Sequence, residues 1–168
     1  CHVVWWRRPQ NLEIHPEINR HEYKIFAYSE SHEAFSGLWH SLDAFWVNDP
    51  HRDEAGHKKV LQLKVAQQVG SNIPRKLISN DVDAIHEFVA QQKGEPVVYK
   101  AFSATEQHWR ETRTLQAGEI GLLDSTRYAP VIFQEYIPAE YDLRITVIGD
   151  SIFPAAIYSQ TSSYKVDY

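Results

Sequence analysis

Lys100 and Glu135 stand where strand periodicity would place a charge among apolar neighbours. Lys100 lies in Val97-Val98-Tyr99-Lys100-Ala101-Phe102, and an alternating strand puts it on the face of Val98 and Phe102. An ammonium held there loses hydration unless an anion such as a polyphosphate restores the balance. The alternative is a stem lying along the sheet with its head in water. Glu135, in Val131-Ile132-Phe133-Gln134-Glu135-Tyr136-Ile137, shares a face with Val131, Phe133 and Ile137, so its carboxylate needs donors. The strand end leading into Ile137-Pro138 offers backbone groups that could pair with an adenine edge; a solvent-facing glutamate on an edge strand is the alternative. Asp142 and Arg144, two residues apart, point the same way at the start of a strand. They suit a ribose and an anionic substrate respectively, or a simple ion pair of little worth if exposed. Lys58-Lys59 opens a helical pattern, where the dipole disfavours cations unless an anion lies nearby.

The elements that must position these residues follow an alternation of strand and helix. Residues 1–6 are β-branched and aromatic, and Arg7-Arg8-Pro9 ends that strand. Residues 10–22 carry little pattern, and 29–42 read as a helix with Ala34, Leu38 and Leu42 at four-residue spacing. Ala44-Phe45-Trp46-Val47 reads as a short buried strand closed by Asn48-Asp49-Pro50, with Asp49 a cap and Pro50 a first helical residue. Leu61, Val65 and Val69 form a helical stripe that Gly70 terminates. Strand 76–79 follows, then a helix capped by Asn80 in which Val82, Ile85, Phe88 and Val89 face a core. Strand 97–102, a polar irregular stretch from Ser103 to Arg127, strand 131–137 and a hairpin of 143–148 with 152–158 around Gly149-Asp150 complete the chain.

With 168 residues, 43% hydrophobic and 23% charged, the chain has the mix of a soluble globular protein rather than a disordered one. Seventeen Lys and Arg against 22 Asp and Glu give a net charge of −5, which argues against a nucleic-acid partner. No apolar run is long enough to span a membrane. The one cysteine, Cys1, excludes an internal disulfide framework, and the cytoplasm is the expected location. The nine histidines show no HExxH or other metal spacing, and no GxxxxGK[ST], GxGxxG or GxSxG occurs. Trp5-Trp6-Arg7-Arg8 reads as a strand followed by surface arginines rather than as a stacking platform for single strands. A start at Cys1, no methionine and a stop at Tyr168 suggest a fragment.

Six segments together resemble the ATP-grasp superfamily, more narrowly the RimK-like ligases of the microviridin-type ribosomal peptide maturases. Val4-Trp5-Trp6-Arg7-Arg8-Pro9 is similar to the "VWxRRP" strand of that group's pre-ATP-grasp domain, and Trp46-Val47-Asn48-Asp49-Pro50 to its "WvNxP" exit. Lys59 to Asn80 follows "KxxQLxxAxxxGxxIPxTLxTN"; Val98-Tyr99-Lys100 matches the second lysine strand. Gln134-Glu135-Tyr136-Ile137 with Asp142-Leu143-Arg144 matches the hinge signature "QEYI…DxR". Each segment alone is weak, but six in order at suitable spacing are specific.

The resemblance implies an α/β fold of the α+β ATP-grasp type. Residues 1–50 would be the pre-ATP-grasp unit, 51–138 the central lobe with its linking helix, and 139–168 the beginning of the C-terminal lobe. It implies ATP and Mg²⁺ as cofactors. Lys59 and Lys100 would contact phosphates, with Lys58 as runner-up to Lys59. Gln134, Glu135, Tyr136 and Ile137 would form the hinge, with backbone at Glu135 and Ile137 reading adenine. Asp142 would sit near the ribose, and Arg144 near the phosphates or an acyl phosphate, the one catalytic assignment. The 103–127 stretch would be the flap. It carries only Gly118 and Gly121 where the family is often glycine-rich, so the hydroxyls of Ser103 or Thr105 could substitute. The family's metal ligands, an Asp and a Glu-x-Asn, would lie beyond Tyr168, so no metal ligand is assigned and the 168 residues alone are expected to be inactive. The complete protein would be a carboxylate–amine or carboxylate–hydroxyl ligase acting through an acyl phosphate. Its partner would be a carboxylate-bearing peptide or small molecule, with a homodimer as the candidate assembly. The rival reading is a nucleotide-binding regulatory protein without catalysis.

Overall fold

The computed structural model describes residues 2–7, 9, 11–102 and 112–159. The chain divides into two compact units, Cys1–Val65 and Ala66–Tyr168. The first holds strand β1 (Val3–Trp5), helix α1 (His21–Ser41), strand β2 (Phe45–Val47), helix α2 (Pro50–His57) and the start of helix α3 (Lys59–Gln68). β1 and β2 pair in parallel, with Val4 opposite Trp46. Trp6 sets its ring edge-on against Trp39 and Trp46, with centroids 4.7 and 5.9 Å away, a geometry that aromatic quadrupoles favour. The Asp49 carboxylate accepts from the Arg52 amide at 3.0 Å and Pro50 opens α2, as the sequence predicts. α1 starts at His21, eight residues before the predicted start, because no glycine or proline interrupts His21–Ser36. The Leu61, Val65 and Val69 side chains are all exposed. α3 closes with Gly70 at φ +76°, while the Ser71 amide reaches back to Ala66, a left-handed stop of the Schellman kind.

The second unit is organised on a four-stranded antiparallel sheet. Its strands are β3 (Lys76–Ser79), β4 (Val97–Lys100), β5 (Arg113–Thr114) and β6 (Val131–Glu135), in the order β3-β6-β4-β5. Helix α4 (Val82–Gln91) and a run of 3₁₀ turns over Ala117–Tyr128 accompany it. One face carries the core: Val97 and Phe133 pack with Ile85 and Phe88 of α4 and with Leu123, and Leu77, Tyr99 and Val131 border them. The helix cap is Asp81 rather than the predicted Asn80: its carboxylate accepts from the amides of Asp83 and Ala84 at 3.0 and 3.2 Å. Asn80 instead donates its side-chain amide to the Arg127 carbonyl.

Strands β4 and β6 stop two residues short of their predicted ends. The predicted irregular stretch from Ser103 to Arg127 is corrected in part, since it contains β5 and the 3₁₀ turns. Leu115 gives its amide to Val97, and Gln116 and Glu119 form a reciprocal capping box that starts the turns. The flap hydroxyls Ser103 and Thr105 lie outside the described residues. A hairpin of β7 (Asp142–Ile148) and β8 (Ser151–Ile157) turns at Gly149-Asp150, with Gly149 at φ +58°, within one residue of its predicted bounds.

Candidate functional site

Cross-strand register sorts the sheet residues onto two faces. Lys76 is opposite Gln134, which is opposite Val98, which is opposite Thr114. The neighbouring row runs Ile78, Ile132, Lys100. These seven residues share the face opposite the core cluster, and no carboxylate stands among them. Val98 and Ile132 are buried, while Lys76, Lys100 and Gln134 are half-buried at their margins. The face is thus an apolar strip edged by two lysines and an amide. Lys100 does lie on the face of Val98, as alternation predicts. Burial holds the Lys76 ammonium below its ordinary value, and the positive charge of Lys100 adds to that effect.

Glu135 answers the question of where its donors are. Its carboxylate accepts from the Arg75 amide at 2.8 Å, and its own amide donates to the Arg75 carbonyl at 3.0 Å. In a regular antiparallel pair the Arg75 amide would go to the Glu135 carbonyl. The side chain takes that amide instead and leaves the carbonyl outside the bond. The Tyr136 amide donates to the Pro96 carbonyl at 3.0 Å. Among the described residues, the Ile137 amide is the first along this segment that the sheet does not use. The Glu135 carbonyl and Ile137 amide are therefore a neighbouring acceptor and donor at the strand's end, the pair an adenine edge needs.

The other expected site residues are distributed as follows. Lys59 is the first residue of α3 and belongs to the first unit; Lys58 caps the end of α2 and is ion-paired with Glu54 at 2.9 Å. Asp142 and Arg144 share one face of β7, opposite Ile157 and Ala155. Asp142 is half-buried and Arg144 exposed, and they form no ion pair with each other. The structure brings Lys100 and Gln134 together on one sheet face. Lys76 was not singled out in the sequence, although Lys76-Leu77-Ile78 alternates just as Val98-Tyr99-Lys100 does.

A cavity of about 700 Å³ opens beside β4, β5 and the 3₁₀ turns, lined by Tyr99, Lys100, Arg113, Glu119 and Thr126 among others. Arg113 is ion-paired with Glu119 and bonded to the Tyr99 hydroxyl. Of the expected site residues only Lys100 reaches this cavity, so it is not where the hinge lies. Among the described residues no three Asp, Glu, His or Cys side chains gather as a metal site. No described helix is long and apolar enough to cross a membrane.

No protein-family model matches the chain, and no curated protein does. Solved structures do. The macrocyclase MdnC of Microcystis aeruginosa MRC, bound with its precursor peptide MdnA, is 29% identical and superposes with a TM-score of 0.84 over 95% of this chain and 54% of its own. A RiPP-associated ATP-grasp ligase of Chryseobacterium gregarium, in complex with ADP and a leader and core peptide, is 27% identical with a TM-score of 0.79, covering 96% and 50%. The ATP-grasp ligase PsnB, complexed with a minimal precursor, Mg and ADP, is 26% identical with a TM-score of 0.66, covering 89% and 50%. The chain spans about half the length of these structures. In fold and in sequence the chain is thus similar to ATP-grasp ligases and macrocyclases solved with ribosomal precursor peptides or their nucleotides.

Proposed function

We propose that this protein is an ATP-dependent ligase that joins a carboxylate to an amine or hydroxyl on a ribosomal precursor peptide. The observation that carries the reading is the sheet face on which Lys100 and Gln134 stand in adjacent rows beside the hinge. ATP would lie along it. The Glu135 carbonyl and the Ile137 amide would pair with the adenine edge, and Gln134 would border the base. Lys100 would hold phosphate. Lys59 would supply the second phosphate contact, with Lys58, which is ion-paired with Glu54, as runner-up. Asp142 would meet the ribose, and Arg144 the phosphates or acyl phosphate. Residues 1–50 are read as the pre-ATP-grasp unit, 51–138 as the central lobe and 139–168 as the start of the next, in a cytoplasmic protein.

The chemistry is a two-step exchange. A carboxylate oxygen attacks the γ-phosphorus of ATP and ADP leaves, giving an acyl phosphate. An amine or hydroxyl then attacks the acyl carbon, loses its proton, and inorganic phosphate departs. The protein contributes position and fixed positive charge rather than covalent chemistry. Magnesium, when bound, offsets charge on the phosphates. No described residue is assigned to it, and none of the steps above is routed through it.

Incubating the complete protein with ATP, Mg²⁺ and a precursor peptide bearing Asp or Glu with Ser, Thr or Lys tests the reading by mass spectrometry. One water should be lost from the peptide per bond formed, with ADP appearing in step, and hydroxylamine should trap the acyl phosphate as a hydroxamate. An unchanged peptide with ATP intact would overturn the ligase reading. Replacing Lys100 with Ala should weaken ATP binding by about tenfold or more, the size of a charge-assisted contact, with the melting transition retained.

A further inference from the structure

Lys76 is a cation that neither the hinge signature nor the second lysine strand assigns. It sits on β3, on the far side of β6 from Lys100, and its register partner is Gln134. The two lysines therefore occupy diagonal positions on one face, with Gln134 and Ile132 between them. Strands lie about 4.8 Å apart and a lysine stem reaches roughly 6 Å, so both heads can close on one group above the central strand. Among the described residues Lys76 makes no hydrogen bond or ion pair, and no carboxylate shares the face. The motif that Lys59 to Asn80 follows carries threonine at this place, so the charge is a departure of this sequence and not part of the pattern.

We propose that Lys76 is a phosphate-binding residue that acts with Lys100, the two ammonium groups clasping the polyphosphate of a nucleotide across β6. The inference rests on the nucleotide reading of this face and deepens it. A half-buried lysine that makes no ion pair, placed beside a second cation, is an unfavourable arrangement in the free protein, and a polyphosphate relieves it by supplying a counter-ion to Lys76 and screening the two heads from each other. Burial first, and the charge of Lys100 second, lower the affinity of Lys76 for its proton, the direction an anion beside it would reverse.

Calorimetry with ADP, inorganic tripolyphosphate and adenosine tests this on the full chain, Lys76→Met, Lys76→Arg and Lys100→Ala. Met keeps the apolar stem and removes the charge; Arg keeps the charge. Lys76→Met is expected to weaken ADP and tripolyphosphate by about tenfold and to leave adenosine unchanged, whereas Lys76→Arg stays within about threefold of the parent. A purely structural role would shift adenosine equally, and that result overturns the proposal. If Lys100→Ala loses ADP while Lys76→Met binds it like the parent, the Lys76 assignment falls and the nucleotide reading stands. If the parent binds tripolyphosphate but not ADP or adenosine, the face is an anion site and the nucleotide reading falls, and with it this inference. If it binds none of the three ligands, both fall.

Discussion

Glu135 alters what the backbone beside it can do, because its carboxylate receives the amide that an antiparallel ladder would give to its carbonyl. Glu135→Ala should return the Arg75 amide to the ladder and occupy that carbonyl, lowering nucleotide affinity by about tenfold. Glu135→Gln keeps an acceptor oxygen and should stay within a few fold; titration calorimetry on both variants reads the difference. Lys76 carries the residue-scale pH dependence. Its folded-state affinity for a proton is below the ordinary 10.5, by burial first and by Lys100 second. The charged side chain therefore destabilises the folded state below that lowered value, and the penalty is relieved as pH rises through it toward 10.5. Lys76→Met should accordingly melt higher than the parent at neutral pH without ligand, and the gap should narrow as pH climbs. A gap that widens with pH would contradict the assignment.

At the scale of elements, α4 shows how a local signal is decided by geometry one residue away from where it was read. Asn80 and Asp81 are both good caps by type. Asp81 precedes the first helical residue and its carboxylate reaches two amides, whereas Asn80 is turned to Arg127. Asp81→Ala should cost about 1 kcal/mol of stability, measured by urea denaturation, and Asn80→Ala clearly less. Because α4 brings Ile85 and Phe88 onto the sheet's core face, a weakened cap also loosens the support beneath β6 and thus the hinge. The β7–β8 hairpin places Asp142 and Arg144 on one face, as alternation required. Its other face carries Leu143, Ile145, Val147 and Ile152, all exposed.

For the molecule as a whole, a net charge of −5 opposes a polyphosphate at long range, so affinity must come from local cations. Long-range repulsion is screened within about 10 Å at 0.1 M salt, and short, half-buried contacts are screened less. Raising ionic strength from about 0.05 M to about 0.5 M should therefore weaken ADP binding only modestly, within roughly fivefold. A much steeper loss would place the phosphates on exposed surface charges instead. The structures this chain resembles hold nucleotides and precursor peptides in chains about twice as long, so turnover is to be measured on the complete protein.

The sequence by itself determined the periodic and punctuated parts: β3, the hairpin turn at Gly149, the left-handed stop at Gly70, the Asp49-Pro50 helix entry, and the core face of α4. Each follows from a local rule of side-chain alternation, missing Cβ or fixed φ, which needs no distant partner. It also placed Lys100 on the face of Val98. What only the tertiary structure decided depends on which strands become neighbours. That β6 runs between β3 and β4 cannot be read from local pattern, since the three are separated along the chain by α4, β5 and a set of 3₁₀ turns. This order alone sets Lys76 across Gln134 from Lys100's strand and brings the Arg75 amide to the Glu135 carboxylate. Long-range register, a property of the folded sheet and not of any segment, turned an ordinary lysine and an ordinary glutamate into parts of one candidate site.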